Sequence, residues 1–540
     1  WLLSGVGRDD GSRGASPAAK RGEERSCPAV GWRRVGALIV LQGVLVNLHS
    51  YFLLGIGLTG AVLAEQVLRW LWHRLRGTPG GGDAAAGRRN AARLGIVLLG
   101  QIGVCFLNPW TWRLAVLPFQ TLAFMQKHDI AGSQDPITGH PWAIIGEFFR
   151  PFAPVFAHSK ATYAYYVLLG LAAAGAVAAA IRRRWAHVLI IAAMTAVSLF
   201  MRRNIASAAL LITPAALAAC CDLLAEMRRR FRVPALGGLT VGAAVAVALA
   251  GAYGCFSVLT QRFYRDERLS VRFGLGPTRS IVPIGPAEWI NENRPTGRLW
   301  TDYNSSSNLH YFTRPHRPVP VLTNTWAYPP GVMRQALDYA IGRRPFSEQA
   351  DCQIVVLQVM PKIHPAYTPL GRQLAGDPNW SLVRLDAAHA VFLRSDGENA
   401  ELARRWAITP RGLGLRIEEF VGELRRLDPI PSHAAYLGGY ALANLGWYTQ
   451  AAAVFRKVLP EDPYPHRVWN QIGWCLRQRG TVRMFQSPPD YRGKQDWHEA
   501  RRCFLRSLQL KGDYEDARTN LRLIDEQIAA EKAGRLYPPW

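Results

Sequence analysis

Apolar positions along the chain fall into two regimes that change over near residue 260. Before it they merge into runs over residues 36–68, 94–107, 163–181, 186–201, 205–221 and 235–259. Such runs approach or exceed the roughly 20 residues an α-helix needs to cross a hydrocarbon layer. Beyond 260, apolar and polar residues alternate in short stretches and charge is dispersed, as in a chain that folds in water. The pattern predicts an α-helical polytopic membrane region over 35–259, followed by a soluble portion.

The 36–68 run is too long for one upright span and is interrupted by Asn47, Leu48, His49 and Ser50, so it reads as two short helices. The 94–107 run stops at Asn108 and Pro109, a pair that favours a turn. The mixed residues of 108–162 read as a loop, and seven membrane segments result. Only Arg202, Arg203 and Asn204 separate the 186–201 and 205–221 runs, which must therefore form a tight hairpin with the arginine pair at one membrane face.

Charge orients this hairpin. Connections 69–93, 182–185 and 222–234 carry 13 lysines and arginines in 42 residues, whereas 108–162 and 202–204 carry 6 in 58. The positive-inside rule makes the first set cytoplasmic, together with Arg33 and Arg34. Seven crossings then put the 108–162 loop, the arginine pair and everything after 260 on the outer side. Arg202 and Arg203 break the rule that orients the rest, which marks them as binding candidates; arginines snorkelling at a helix end are the alternative. Asn204 reads either as an N-cap of the next run or as an added hydrogen-bonding group. The formal charge of +25 fits topology better than nucleic acid, because no zinc-finger spacing, RNP-like aromatic stretch or long basic helix accompanies it.

In the soluble portion, residues 298–301, 319–323, 353–359, 381–385 and 390–394 read as strands, and 286–293, 330–341 and 367–374 as helices. That alternation argues a small extracytoplasmic α/β domain over 260–396. No G-x-G-x-x-G or Walker sequence marks it, and no Ser, His and Asp set can be assembled, so no cofactor is expected. The eight cysteines include no C-x-x-C pair and predict no metal site. Cys475 and Cys503 could form a disulfide or remain buried thiols.

From 397 to 540 the chain reads as helical and repeats itself. Gly439, Gly446, Tyr448, Ala451, Phe455 and Pro463 fall at the spacing of a tetratricopeptide repeat. A second unit carries Trp469, Ile472, Gly473, Leu476 and Gly480, then Trp497, Ala500 and Phe504, with about fifteen extra residues in its inter-helix turn. An amphipathic stretch at 514–528 would cap the stack. The expected fold is thus an α-helical polytopic membrane region, a small α/β domain, and an all-α tetratricopeptide-like region detachable from it. That last region is either a surface for a protein partner or a structural appendage.

The chain begins at Trp1, and residues 1–34 lack an apolar core of signal-peptide length. They read as a polar, disordered or truncated start, with the first spans of the protein expected upstream.

Several stretches resemble bacterial membrane proteins of the GT-C glycosyltransferase type. Val46, Asn47, Leu48 and His49, followed by Phe52 and Gly55, are similar to a W-x-N-x-H-G-G-F segment, and 108–114 to N-P-Y-G-W-R-L. Arg203, Asn204, Ile205 and Ala206 resemble an Arg-led span, while 298–304 and 380–394 resemble the soluble domain such proteins carry. The likeness covers roughly 35–396 in short motifs. It departs at Ser50 and Tyr51, at Ser307 and Asn308, and at Thr323 to Thr325, where the pattern has Gly pairs or an Asp and an Arg. The resemblance implies transfer of sugar from a polyprenyl-phosphate donor at the outer face of the cytoplasmic membrane, with Arg202, Arg203, Asn47 and His49 binding substrate. The catalytic acid of such enzymes lies in the first outer loop, expected upstream of this chain. Further outer-face candidates are His128, Asp129, Asp135, His140, Glu147 and Arg150. The bilayer, the lipid-linked sugar and a protein bound by the repeats are the expected partners. The alternatives are a lipid-linked polysaccharide ligase or polymerase, and a non-catalytic membrane-anchored repeat scaffold.

Overall fold

A computed structural model describes residues 30–48, 50–75, 81–130, 142, 146–153, 156, 159–231, 235–266, 273–279, 282–313, 330–349, 351–359, 369–427 and 431–534. The chain divides into two units, 1–253 and 254–540.

Runs of Leu, Ala and Val with few polar side chains to compete for the backbone make the first unit helical. Its helices are α1 (Trp32–Leu48), α2 (Leu53–Leu75), α3 (Gly81–Val104), α4 (Trp112–Lys127), α5 (Lys160–Ile181), α6 (Trp185–Phe200) and α7 (Ile205–Phe231). Helix α8 (Ala235–Leu259) runs across the division between the units. The 36–68 run does split as expected, although α2 is 23 residues long rather than short. The expected 108–162 loop holds a 16-residue helix, α4, which has too many polar positions and a Pro118 to read as a span.

Helix α3 packs on α1 and α2, α2 packs on α6, and α5, α6 and α7 pack on one another. Small residues set the closeness of the last three: a Cβ on Gly175 of α5 would lie 2.3 Å from Cβ of Ala216 on α7. Tyr165 and Ser198 share a buried hydrogen bond of 2.8 Å between α5 and α6.

Polar contacts sort the connections into two ends. At one end Glu65 accepts the Ala186 N–H (2.7 Å) and a hydrogen bond from Arg69, Arg184 pairs with Asp222, and Arg182 lies 3.7 Å from Glu226. Asn90 and Arg93 hold Val30 from α3. At the other end Asn47 donates to the Leu107 carbonyl (3.2 Å), and Tyr51 meets Asn204 (3.0 Å). The arginine-rich connections thus gather opposite the arginine-poor ones. Ala161–Ile181 and Arg202–Phe231 are long and apolar enough to cross a membrane, while Trp185–Phe200 and Val245–Leu259 are apolar but shorter. Among the described residues, two such helices fall short of the seven crossings that the runs suggest.

The second unit is built on a mixed four-stranded sheet in the order β1-β2-β4-β3. The strands are β1 (Arg298–Thr301), β2 (Cys352–Gln358), β3 (Trp380–Leu385) and β4 (His389–Arg394). β1 runs parallel to β2, and the other pairs are antiparallel. The strand expected at 319–323 lies outside the described residues. Alternation sends Ile354, Val356, Val391 and Leu393 to one face, where they meet Trp289, Ile290 and Leu309. Val355, Leu357, Ala390 and Phe392 face the other way. A register irregularity between Leu382 and Arg384 lets Leu382 and Leu385, three apart, share a face.

The first face is covered by α10 (Ile284–Asn293), α11 (Tyr303–Phe312) and α14 (Ala400–Trp406), after a short α9 (Arg262–Asp266). α12 (Pro330–Ala340) and α13 (Pro369–Gly376) bring Leu337 to burial and Leu370 and Leu374 into the core of the second face. There follow α15 (Pro410–Leu415), α16 (Ile417–Arg426), α17 (Pro431–Asn444), α18 (Tyr448–Val458), α19 (Pro465–Phe485), α20 (Arg492–Leu510) and α21 (Glu515–Lys532).

Helices α17 to α21 pack each on the next along the chain. The glycines sit where the pattern put them: a Cβ on Gly439 would lie 2.9 Å from the Phe455 ring, and one on Gly473 would lie 2.7 Å from Phe504. The extra residues of the second hairpin do not form a loop. They lengthen α19 and α20, which stay close because Gly480 and Gly493 face each other.

The helical array does not separate from the sheet. One hydrophobic core runs from Val355 and Phe392 through Leu442 and Phe455 to Phe504 and Ile524. Asn444 donates to the Val359 carbonyl across the expected boundary (2.6 Å).

Gly480→Val should destabilise the second unit by about 3 kcal/mol, since its added carbons meet the Trp497 ring and the Gly493 carbonyl within 2.7 Å. Gly422→Ala, on an open face of α16, should gain about 0.5–1 kcal/mol. Chemical denaturation of the two variants measures both.

Candidate functional site

Helix α6 ends at Phe200, Met201 is extended (φ −144°, ψ 136°), and a single 3-10 turn of Arg202, Arg203 and Asn204 leads into α7. Asn204 makes so short a turn possible. It is buried, its Nδ2 donates to the Val197 carbonyl at 3.0 Å, and its Oδ1 accepts the Tyr51 hydroxyl proton at 3.0 Å. Val197 lies in the last turn of α6, where carbonyls lack helical partners. The side chain of Asn204 therefore closes the helix before it rather than capping the one after.

The two arginines lie on aromatic rings. The Arg202 N–H donates to the Phe149 carbonyl (2.9 Å), and its guanidinium carbon sits 3.6 Å from the Phe156 ring centre. The Arg203 guanidinium lies 5.9 Å from the Tyr51 ring and 5.7 Å from the Phe148 ring, with Nε 3.4 Å from the Tyr51 hydroxyl. Each such cation–ring contact contributes about 0.5–1 kcal/mol when exposed and more when dry. Arg203 is exposed, and among the described residues no carboxylate lies within ion-pair distance of it. Arg203 can receive an anion through a planar fork of donors that is held in place from behind.

Of the other candidates, Asn47 donates to the Gly43 and Leu107 carbonyls and so joins the end of α1 to the end of α3. The structure gives it a positioning role at the same end of the bundle as the arginines. His49, Asp135 and His140 lie outside the described residues. Asp129 and Arg150 form an exposed ion pair at 3.6 Å, which contributes little in water. His128 packs 4.5 Å from the Phe124 ring, and Glu147 is exposed in the 3-10 turn Gly146–Phe148, which lies against the arginine turn. Among the described residues no group of three His, Cys, Asp or Glu side chains could hold a metal.

Sequence reasoning missed Tyr51, Phe148, Phe149 and Phe156. Tyr51 stood out only as a departure from a Gly pair, yet its ring and hydroxyl meet both Arg203 and Asn204. The signal for the others was the density of Phe in 148–156, a run too broken by Pro to be a span.

Among the described residues of the second unit, the carboxylates of Asp386 and Asp302 serve the backbone. Asp386 is buried but accepts the N–H groups of Ala388 and His389, which makes it the clasp of the β3–β4 turn. Asp302 caps α11 through the Ser305 N–H and accepts the Gln358 N–H from the end of β2 (2.6 Å). Arg298 and Arg394 hold the exposed Asp351 and Asp396 carboxyls below their usual range. Cys475 and Cys503 are free, buried thiols rather than a disulfide. Burial pushes the Cys503 thiol up to about 12 and that of Cys352 to about 11, and raises Cys475 as well.

No family model matches the chain, and neither a curated protein nor a solved structure does.

A thiolate is the reactive form, and burial keeps these three thiols protonated through the neutral and mildly alkaline range. Maleimide should therefore leave Cys352, Cys475 and Cys503 unlabelled in the native protein from pH 7 to pH 9, and label all three once it is unfolded without reductant. Two thiols missing from the unfolded count would instead mean a disulfide.

Proposed function

We propose that the first unit lies in a bilayer as a multi-pass bundle and that Arg202 and Arg203 bind the phosphate of a polyprenyl-linked sugar. In this reading the chain is part of a GT-C-type glycosyltransferase acting at the outer membrane face. Its second unit is extracytoplasmic, with helical hairpins of the tetratricopeptide kind that offer a surface to a protein partner.

The embedding is supported by the sorting of basic connections to one end of the bundle and by large apolar side chains that α5 leaves exposed, among them Val167 and Val177. The observation that carries the phosphate role is Arg203. It is held over Tyr51 and Phe148 at the arginine-poor end, with no carboxylate among the described residues to satisfy it. A charge at a membrane edge without a counter-ion is stabilised by an anionic ligand, and phosphate oxygens match the guanidinium fork. Sugar transfer also requires a carboxylate to deprotonate the acceptor, and we assign that role to none of the described residues.

The double variant Arg202→Ala, Arg203→Ala should lower sugar transfer by about a hundredfold or more, as expected for losing two charge-assisted sites of roughly 1.5–3 kcal/mol each. Membrane insertion should be unchanged. Arg202→Lys with Arg203→Lys should fall between, since the charge remains while the fork is lost. Transfer from a polyprenyl-phosphate sugar is measured on the full-length protein in membranes. Unchanged transfer in the double Ala protein, at equal amount, overturns the reading.

A further inference from the structure

Helix α4 has two apolar faces, and the fold uses one of them. Leu114 packs with Val46, Phe52 and Cys105, and Met125 is fully buried. On the opposite side Trp112, Val116, Phe119 and Ala123 follow one another at the spacing i, i+4, i+7, i+11 of a single helical stripe. All four are exposed, Phe119 to 60%.

Three of the polar residues have their own line. Arg113, Gln120 and Lys127 recur every seven residues along one edge of the stripe, and the helix contains no Asp or Glu. The chain leading into α4 adds exposed Phe106, Leu107 and Trp110 at the same end of the bundle, directly after the apolar stretch of α3.

We infer that α4 lies in the plane of the bilayer interface, with Trp112, Val116 and Phe119 among the acyl chains and Arg113 and Lys127 at the level of the lipid phosphates. This rests on the membrane embedding proposed above. Three observations choose lipid as the occupant. Exposed tryptophan and phenylalanine beside cations is the composition that favours the boundary between headgroups and chains. Across the short turn 108–111 the stripe is preceded by exposed Phe106 and Leu107, with exposed Trp110 in the turn itself. A second copy packed stripe to stripe would set its Arg113 and Lys127 rows against each other, with no acid on the helix to offset them. At 16 residues the helix is about 24 Å long, and lying flat it would shelve the membrane at the end that carries Arg202 and Arg203.

Spin-label accessibility on the full chain in phosphatidylglycerol-containing nanodiscs tests this. Single labels are placed through Trp112→Cys, Val116→Cys and Phe119→Cys on the stripe, and Arg113→Cys, Gln120→Cys and Lys127→Cys on the edge. Val167→Cys on the exposed face of α5 is the reference, in a background with Cys27, Cys220, Cys221 and Cys255 changed to Ser. All stripe positions are surface residues, and Ala123→Cys replaces any that fails to fold. Accessibility to oxygen should exceed that to a water-soluble nickel chelate at 112, 116 and 119, and the order should invert at 113, 120 and 127. Nickel-accessible stripe labels beside an oxygen-accessible Val167 label would overturn the interfacial helix alone. Stripe labels shielded from both reagents would mean that protein covers the face, which also overturns it. A nickel-accessible Val167 label would remove the membrane embedding, and the inference with it.

Discussion

One buried amide organises the end of the first unit that carries its unusual charges. Asn204 is the only residue of its turn that turns inward. In doing so it links the end of α6, through the Val197 carbonyl, to the start of α2, through the Tyr51 hydroxyl. An Asn side chain buried without partners would cost several kcal/mol, about 2–7 on transfer scales, so this geometry is strongly selected. Successive side chains of a 3-10 turn point about 120° apart, so Asn204 is buried while Arg202 is half-buried and Arg203 exposed. The rings of Phe156, Phe148 and Tyr51 then fix where the two guanidiniums rest. At the far end Glu65 acts in the same sense, joining α2 to the first turn of α6 through the Ala186 N–H. The two halves of the bundle, α1 to α3 and α5 to α7, are therefore tied at both ends by single side chains on α2 or just before it.

The sequence announced the parts whose signal is local. β2 was legible because every residue from Ile354 to Leu357 is apolar and both its faces are buried. The glycine positions of α17 and α19 were legible because only a glycine admits a ring at about 2.7–2.9 Å from where its Cβ would stand. The hairpin at Arg202 was legible because three residues permit little else. Helix α4 was not, since its stripe shares 16 residues with Pro118, Thr121 and two glutamines, and so passes for neither a span nor a clean amphipathic helix. The four aromatic partners of the arginines were hidden for a different reason. They lie some 50 or 150 residues away in sequence, and which aromatic reaches which guanidinium is decided by packing alone.

The same limit explains the missed continuity of the second unit. Repeat arrays are expected to rely on nearest-neighbour contacts and so to stand alone. Here the first hairpin buries Leu442, Leu445 and Tyr448 in the core that also holds Val355 and Phe392 of the sheet. Gly371 of α13 is drawn close enough that its Cβ would stand 3.3 Å from Leu445, and Asn444 satisfies the carbonyl that follows β2. The sheet supplies apolar cover to the first helical hairpin. On the far side α21 does that with a polar outer face, where Arg522 pairs with Glu526. The array is thus capped asymmetrically, by a domain at one end and by a charged helix at the other.

An array with one end fused to a sheet cannot reorient independently of it, so whatever its surface holds is presented at a fixed attitude to the α/β layer. The arginine turn is fixed just as firmly, by the amide of Asn204 and the rings beneath the guanidiniums. A phosphate bound there would be met by donors that need no rearrangement, and preorganised donors lose least on binding. The aromatic backing also displaces water from one side of each cation, which strengthens its pull on an anion arriving from the other. Lysine could bring the charge but not the flat face that lies against Phe156, and so the choice of arginine follows from the rings.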